Sequence, residues 1–191
     1  GLEPGIPNIY SLKVLCDVLR KRGMSDFPIH LKLDTGMHRL GFMTEELEEL
    51  MDFLKDCPQV KVKSVYSHLA AADDPSNDAF TLGQIELFQQ NADRLTSVLA
   101  EKPLYHILNS AGIERFPQYQ FDMVRLGIGI YGVSALPGNH LSTVASFKCK
   151  VLQIKTLNPG DGTIGYGRKG KIAPEGTVIA TIPVGYADGL D

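Results

Sequence analysis

The sequence has few cysteines, no block of like charges and no long apolar run. Its three cysteines, Cys16, Cys57 and Cys149, are far apart and form no Cys-x-x-Cys or Cys/His cluster, which argues against a zinc site or a disulfide framework. No apolar run approaches the ~18 residues that a membrane span needs, and no signal segment opens the chain. The net charge of −3 is spread without a basic stripe. We therefore expect a cytoplasmic protein with reduced cysteines that binds neither nucleic acid nor membrane, and no metal.

The first part of the chain, residues 1–137, alternates between short apolar strands and amphipathic helices. This alternation is typical of a parallel α/β sheet. Periodicity and capping residues predict helices over 10–22, from Thr44, and from Thr81, where Thr81-Leu82-Gly83-Gln84 fits a capping box. Strands are predicted over 28–33, 60–66, 104–108 and 123–126.

The second part, residues 138–191, contains strand-like runs at 144–157 and 176–184 with turn residues between them, and this pattern predicts an all-β part. Neither part is long enough to be complete. A (β/α)8 barrel takes about 250 residues, whereas the first part has room for about four strands. We therefore expect about half of a barrel followed by part of a β domain.

The most informative segment runs from His30 to Gly41. Lys32 stands in an apolar Leu-Lys-Leu strand, where a lysine is costly to bury unless something neutralises or uses it. Arg39 follows just past the strand end, where barrel enzymes place catalytic groups. Its planar fork of donors suits a carboxylate, which a lysine could not grip in the same bidentate way.

Five further segments carry polar residues in apolar or glycine-rich surroundings. They are Tyr66-Ser67-His68-Leu69-Ala70, Leu108-Asn109-Ser110-Ala111-Gly112, the run from Phe121 to Gly129 around Arg125, Thr163-Ile164-Gly165-Tyr166-Gly167, and the run from Ile182 to Gly189 around Tyr186. With the segment around Arg39, they resemble in type and order the motifs of the alanine racemases. The resemblance extends from about residue 6 to residue 191.

The resemblance implies a pyridoxal phosphate (PLP) enzyme of fold type III. The chain would form the second half of a PLP-binding (β/α)8 TIM-type barrel, followed by part of an all-β C-terminal domain. In the family, L- and D-alanine are interconverted by two bases on opposite faces of Cα, and the D-alanine enters peptidoglycan precursors. One base matches Tyr166, which crosses a dimer interface in the family and so implies a homodimer. The other is a lysine in a segment that precedes residue 1, so we expect the 191-residue chain alone to be inactive.

The other site residues also follow from the resemblance. Arg39 matches the arginine that meets the substrate carboxylate and the PLP phenolic oxygen, and Lys32 matches a lysine that is carbamylated in many members. Tyr186 matches a residue at the substrate entrance, where Asp188 shapes the turn, and His38 stands where glycine is common. The cofactor contacts are implied for Arg125 at the ring nitrogen, for His68 beside Arg125, and for Ser110, Gly127 and Ile128 at the phosphate.

Other functions remain open from the sequence. A serine or broad-spectrum racemase would use the same fold, and a non-catalytic PLP-binding barrel would lack the β part. A related decarboxylase fits less well, because those enzymes pair the ring nitrogen with an acid and Arg125 stands in that place. His30, His106 and His140 receive no role from the sequence.

Overall fold

The computed structural model describes residues 1–138 and 141–190. The chain forms two compact units, Gly1–Val144 and Ala145–Asp191. The domain limits derived from the sequence, 1–137 and 138–191, stay a prediction.

The first unit contains a four-stranded parallel sheet in the order β1-β2-β3-β4, with helices between the strands. The strands are β1 (Gly5–Ile6), β2 (Phe27–Lys32), β3 (Val60–Tyr66) and β4 (Leu104–His106). The helices are α1 (Ile9–Lys21), α2 (Leu47–Lys55), α3 (Asp78–Thr96) and α4 (Ser110–Arg115). This order of parallel strands and crossover helices is the α/β architecture that the sequence predicts.

Local sequence explains why these elements form where they do. Asn8 caps α1, because its side chain accepts a 2.9 Å hydrogen bond from the Ser11 N–H. Leu12, Cys16 and Leu19 recur at helical spacing and are buried. The central strands β2 and β3 are buried on both faces near their carboxyl ends, so the polar residues there lie beside the core rather than in bulk solvent.

The structure corrects two predictions in this unit. The capping box at Thr81 is wrong, because Asp74 instead caps a 3-10 turn at Pro75–Asn77 and α3 follows directly from Asp78. The predicted strand over 123–126 is also absent from the described chain. There the Asp122 N–H donates to the Tyr105 carbonyl and the Arg125 N–H to the Leu108 carbonyl, but the Tyr105 N–H is taken by the Asp122 side chain, so the segment follows β4 without a regular ladder.

The second unit contains two small antiparallel pairs. In one pair β5 (Gln153–Leu157) lies beside β8 (Thr177–Thr181), and in the other β6 (Thr163–Ile164) lies beside β7 (Gly170–Lys171). The predicted strands over 144–157 and 176–184 are therefore real but shorter than expected. The all-β character of this part agrees with the sequence.

No helix in the described residues is long and apolar enough to cross a membrane.

Candidate active site

The carboxyl ends of the parallel strands carry most of the polar residues that the sequence indicates. Lys32 ends β2, His68 lies two residues past the end of β3, and His106 ends β4. Parallel α/β sheets bind their ligands at this edge. The site is therefore expected around these three strand ends.

Arg39 lies in a loop, residues 34–41, that leaves β2 and returns to it. The Asp34 N–H donates to the Phe42 carbonyl at 2.9 Å, and the Phe42 N–H donates to the Lys32 carbonyl at 2.8 Å. Gly41 has a φ of +126°, and a Cβ there would lie 2.6 Å from backbone atoms across the loop. Only glycine fits this position, which explains why a glycine closes the motif.

Asp34 organises the interior of the Arg39 loop. Its Oδ1 accepts hydrogen bonds from the Gly36 and His38 N–H groups, each at 3.0 Å. Burial raises the pKa of Asp34, but these backbone donors outweigh that effect and hold the pKa below its usual value. His38 has a φ of +50°, the left-handed conformation that a glycine adopts more easily.

The side chains of Lys32 and Arg39 are both free of hydrogen bonds and ion pairs within the part of the chain that the structure describes. Lys32 is buried, with 8% of its surface exposed, whereas Arg39 is exposed. Burial lowers the pKa of Lys32, the charges of Arg39 and Arg125 lower it further, and Asp34 opposes them only in part. The amine of Lys32 is therefore neutral, and nucleophilic, more readily than that of an ordinary lysine.

Arg125 is anchored by five hydrogen bonds. Its guanidinium donates to Nδ1 of His106 at 2.6 Å and to Nδ1 of His68 at 3.2 Å. It also donates to the carbonyl oxygens of Ser67, His106 and Ile107. No carboxylate in residues 1–138 or 141–190 forms an ion pair with it. The charge of Arg125 is thus held by neutral groups and remains available to a ligand.

His68 experiences the charges of both arginines. Burial lowers the pKa of its imidazole, and Arg125, Arg39 and Lys32 lower it further. Arg39 and Arg125 also both act on Lys32. The charges of both guanidinium groups therefore act on the same two side chains, although the arginines belong to segments far apart in the sequence.

Ser110 and Gly127 meet beside Arg125. The Ser110 Oγ accepts the N–H groups of Gly127 at 2.9 Å and of Gly129 at 3.1 Å, so its own hydrogen remains free to donate. The Ile128 N–H makes no hydrogen bond within the described residues. A Cβ on Gly127 would lie 3.7 Å from this Oγ, so the glycine leaves open the space beside the hydroxyl.

A cavity of about 720 Å³ lies over these groups, and its lining includes His68, Asn109, Ser110, Arg125 and Gly127. A second cavity of about 580 Å³ is lined at the amino ends of the strands by residues such as Asp26, Cys57 and Val60. The cavity at the carboxyl ends is the better candidate site, because it contains the converging donors and the histidine with a lowered pKa. No cluster of metal-ligating side chains was found in the described residues.

Tyr166 and Tyr186 belong to the second unit and are strongly exposed there, at 93% and 84%. Tyr166 lies between Gly165 and Gly167, whose φ angles of 75° and 66° are left-handed. Tyr186 begins a 3-10 turn in which the Asp188 carboxylate accepts the Gly185 N–H at 3.1 Å. Both phenols are thus presented on tight turns.

Comparison with known proteins agrees with this geometry. Residues 1–135 match the family described as alanine racemase, N-terminal domain, and residues 144–191 match alanine racemase, C-terminal domain. The chain belongs to the alanine racemase family. It is 36% identical to the alanine racemase of Synechocystis and 38% identical to that of Syntrophobacter fumaroxidans, over 99% and 98% of its length. The match covers 51% and 50% of those relatives, so the chain spans about half their length.

Solved structures of this family share the fold. The alanine racemase of Streptomyces coelicolor matches 98% of the chain with a TM-score of 0.83 at 27% identity, over 51% of its own length. The alanine racemase of Bartonella henselae, solved with covalently bound pyridoxal phosphate, matches 98% with a TM-score of 0.74 at 28% identity, over 50% of its length. The fold is thus confirmed as part of the alanine racemase barrel followed by part of its C-terminal domain.

Three residues of the site were not found from the sequence. His106 holds Arg125, Asn109 caps α4 through the Gly112 N–H, and Gln84 binds the backbone on both sides of residue 69. A signal for His106 was present, because it ends β4 much as His68 follows β3. Gln84 carried no such signal, since its place in the capping-box pattern suggested a different role.

Proposed function

We propose that the chain is part of an alanine racemase, a PLP-dependent isomerase that interconverts L- and D-alanine and supplies D-alanine for peptidoglycan precursors. The observation that carries this proposal is the partly buried arginine at the cavity, Arg125, which is held by His68 and His106 and has no carboxylate partner among the described residues. Membership in the alanine racemase family supports alanine as the proposed substrate. The three free cysteines support a cytoplasmic location.

The residues at the cavity fit a phosphorylated pyridine. The hydroxyl hydrogen of Ser110 and the Ile128 N–H, which have no acceptor among the described residues, and the open space at Gly127 form a cradle suited to phosphate oxygens. Arg125 would donate to the ring nitrogen, and His68 would hold Arg125 in place. The Gly127 N–H already donates to Ser110, so in our proposal it would be shared between that hydroxyl and the phosphate.

PLP, when bound, supplies the electron sink that makes the Cα proton of an amino acid acidic. The chain's own residues set the conditions for that chemistry. A guanidinium beside the ring nitrogen disfavours protonation of that nitrogen, which weakens the sink and limits side reactions such as transamination. The partial burial of Arg125 and its five hydrogen bonds fix this charge in place.

Arg39 and Lys32 would act together on the substrate carboxylate. The unpaired guanidinium of Arg39 is free to bind a carboxylate through two donors. The neutral amine of Lys32 would attack CO₂, forming an N–C bond and releasing a proton, and the resulting carbamate anion would hold Arg39. The lowered pKa of Lys32 favours this modification, because only the neutral amine reacts.

Tyr166 would move the proton at Cα from one face of the substrate. The Tyr166 side chain is exposed and stands between two glycines, so its phenol is free to reach into the active site of a second copy of the chain. We therefore propose a homodimer. Tyr186 would line the substrate entrance. The proton on the opposite face is assigned to the family's PLP lysine, which has no counterpart in these 191 residues.

Two alternatives can be weighed against this function. A serine or broad-spectrum racemase would use the same groups, and only substrate assays separate it from an alanine racemase. A non-catalytic PLP-binding barrel is disfavoured, because residues 144–191 match the racemase C-terminal domain.

The experiment that tests the function joins the chain to the N-terminal half of the Synechocystis relative and adds PLP. We expect D-alanine to form from L-alanine in an assay coupled to a D-amino acid oxidase, and Tyr166→Phe to abolish it. The 191-residue chain alone should bind PLP without turnover. A fusion that binds PLP, as judged by its absorbance, yet racemises no amino acid would contradict the proposal.

A further inference from the structure

Five side chains form a continuous line of hydrogen bonds across the sheet. Glu3 Oε2 lies 3.0 Å from His30 Nε2, and His30 Nδ1 lies 2.6 Å from Ser64 Oγ. Ser64 Oγ lies 2.9 Å from His106 Nε2, and His106 Nδ1 lies 2.6 Å from the Arg125 guanidinium. We call these five residues the relay. It joins an exposed carboxylate to the arginine of the candidate active site.

The parallel sheet itself builds the relay. His30 lies in β2, Ser64 in β3 and His106 in β4, so each neighbouring strand contributes one member. His30 and Ser64 are direct partners in the strand register. Ser64 is completely buried, and its hydroxyl finds both of its hydrogen-bond partners within the relay. A buried hydroxyl in this position needs both bonds.

The two ends of the relay determine the direction of every bond. A guanidinium can only donate, so His106 Nδ1 must carry no proton. Neutral His106 then has its proton on Nε2, which donates to Ser64. The Ser64 hydrogen is left to donate to His30 Nδ1, and the proton on His30 Nε2 donates to Glu3. The Glu3 carboxylate can only accept, so all four bonds are satisfied in one arrangement.

Other protonation states leave a buried group unpaired. The second tautomer of His106 would direct an N–H at the Arg125 guanidinium. A charged His30 would donate to Ser64 from one side while His106 donates from the other, and the Ser64 hydrogen would lose its acceptor. Burial, with Arg125 and His30 nearby, lowers the pKa of His106 to about 4, which agrees with a neutral ring near pH 7.

We propose that His30 and Ser64 are positioning residues for the cofactor site: Ser64, itself bonded to His30, accepts from His106 Nε2 and so holds the ring in the orientation in which Nδ1 accepts from Arg125. The relay also gives Arg125 a distant counter-charge, since its aligned bonds end on the Glu3 carboxylate. The effect on cofactor binding rests on the proposed function. The tautomers do not, because they follow from the hydrogen bonds of the chain alone.

The first test is the ¹⁵N NMR spectrum of the histidine side chains in the 191-residue chain without added PLP at pH 7. We expect His30 and His106 both to be neutral, with the proton on Nε2. A proton on Nδ1 of either ring, or a charged His106, would overturn the inference. This measurement needs no substitution, so the inference stays falsifiable if a variant fails to fold.

The second test uses Ser64→Ala, which interrupts the relay. We expect His106 to keep its proton on Nε2, because Arg125 still donates to Nδ1, but that N–H loses its acceptor. Its ¹⁵N and ¹H signals should therefore shift, and the dissociation constant for PLP should rise by about tenfold. Ser97→Ala is the matched control, because among the described residues the exposed Ser97 hydroxyl bonds to the Arg94 carbonyl alone, and it should change neither measurement. Unchanged His106 signals in Ser64→Ala would contradict the positioning role.

The two tests separate this inference from the proposed function. If the wild-type tautomers are as stated but the chain binds no PLP, the proposed function fails and the relay stands. If the chain binds PLP and the tautomers differ, the relay fails and the proposed function stands.

Discussion

The guanidinium group of Arg125 lies 2.6 Å from Nδ1 of His106 and donates to it, so a partly buried cation is held here by a buried, neutral imidazole. Arg39, the other arginine of the site, is exposed and makes no such bond within residues 1–138 and 141–190. The two residues therefore differ in what they contribute to the fold, although both charges reach His68.

This difference predicts unequal effects on stability. Arg125→Ala should lower the free energy of unfolding by about 2–4 kcal/mol, because it leaves several buried acceptors without a donor. Arg39→Ala should change it by less than about 0.5 kcal/mol, since an exposed, unbonded side chain is lost. Urea denaturation of the two variants measures both values, and equal effects would show that Arg125 is not the anchored group.

His106 should make the protein less stable in mild acid. Its pKa is lowered from 6.5 to about 4 in the folded chain, so between pH 6.5 and pH 4 the unfolded chain binds more protons than the folded chain. The free energy of unfolding therefore decreases as the pH is lowered through this range. The loss from this residue is roughly 3 kcal/mol at pH 4 relative to pH 7. The lowered pKa of His68 acts in the same direction.

Denaturation curves at pH 7 and pH 4.5 measure this slope. His106→Asn removes the titrating group, so the slope between the two pH values should become shallower in that variant. If the free energy of unfolding of His106→Asn changed with pH as much as that of the unsubstituted chain, the acid sensitivity would belong to other groups.

Lys32 should take up CO₂ more readily than the chain's surface lysines. Its pKa is lowered by burial and by two arginine charges, whereas the pKa of Lys61 is raised by its hydrogen bond and ion pair with Glu101. With ¹³C-labelled bicarbonate near pH 8, we expect a carbamate signal that Lys32→Arg abolishes and Lys61→Arg leaves intact. A signal that survives Lys32→Arg would exclude this lysine as the site.

The cysteines should differ sharply in reactivity. Burial, together with the Cys57 thiol 2.7 Å away, raises the pKa of Cys16 to about 12, and Cys57 is also buried, whereas Cys149 is exposed. The thiolate is the reactive form, so iodoacetamide at pH 8 should label only Cys149 in the folded chain and all three cysteines in denaturant. Cys149→Ser should abolish native labelling. Rapid labelling of Cys16 would contradict the packing of α1 against the residue-57 turn.

The sequence predicts the parallel sheet well and the start of α3 poorly, for physical reasons. β3 over Val60–Tyr66 follows from a short run of apolar and β-branched residues between turns. The start of α3 depends on whether Asp74 or Thr81 provides the cap, and both patterns are good local signals. Packing decides between them, since Gln84 is drawn inward to bind the backbone of residues 68 and 70.

Part of the site also depends on tertiary contacts. The motifs indicate Arg39 and Arg125, but the histidine partners of Arg125 lie 19 and 57 residues away in the sequence, at the end of β4 and just past the end of β3. A single histidine at a strand end gives no sign of which donor it will meet. The geometry of the sheet supplies that information.

The loop that carries Arg39 is fastened at both of its ends to a single strand, and Asp34 braces it from within. A loop whose two ends are held by backbone hydrogen bonds can have its central residues replaced while its ends keep their positions. Thr35 and Gly36 are packed against Ser67 and Phe80, so the replaceable part is residues 37–40, where changes would redirect Arg39 while leaving the neighbouring strands as they are.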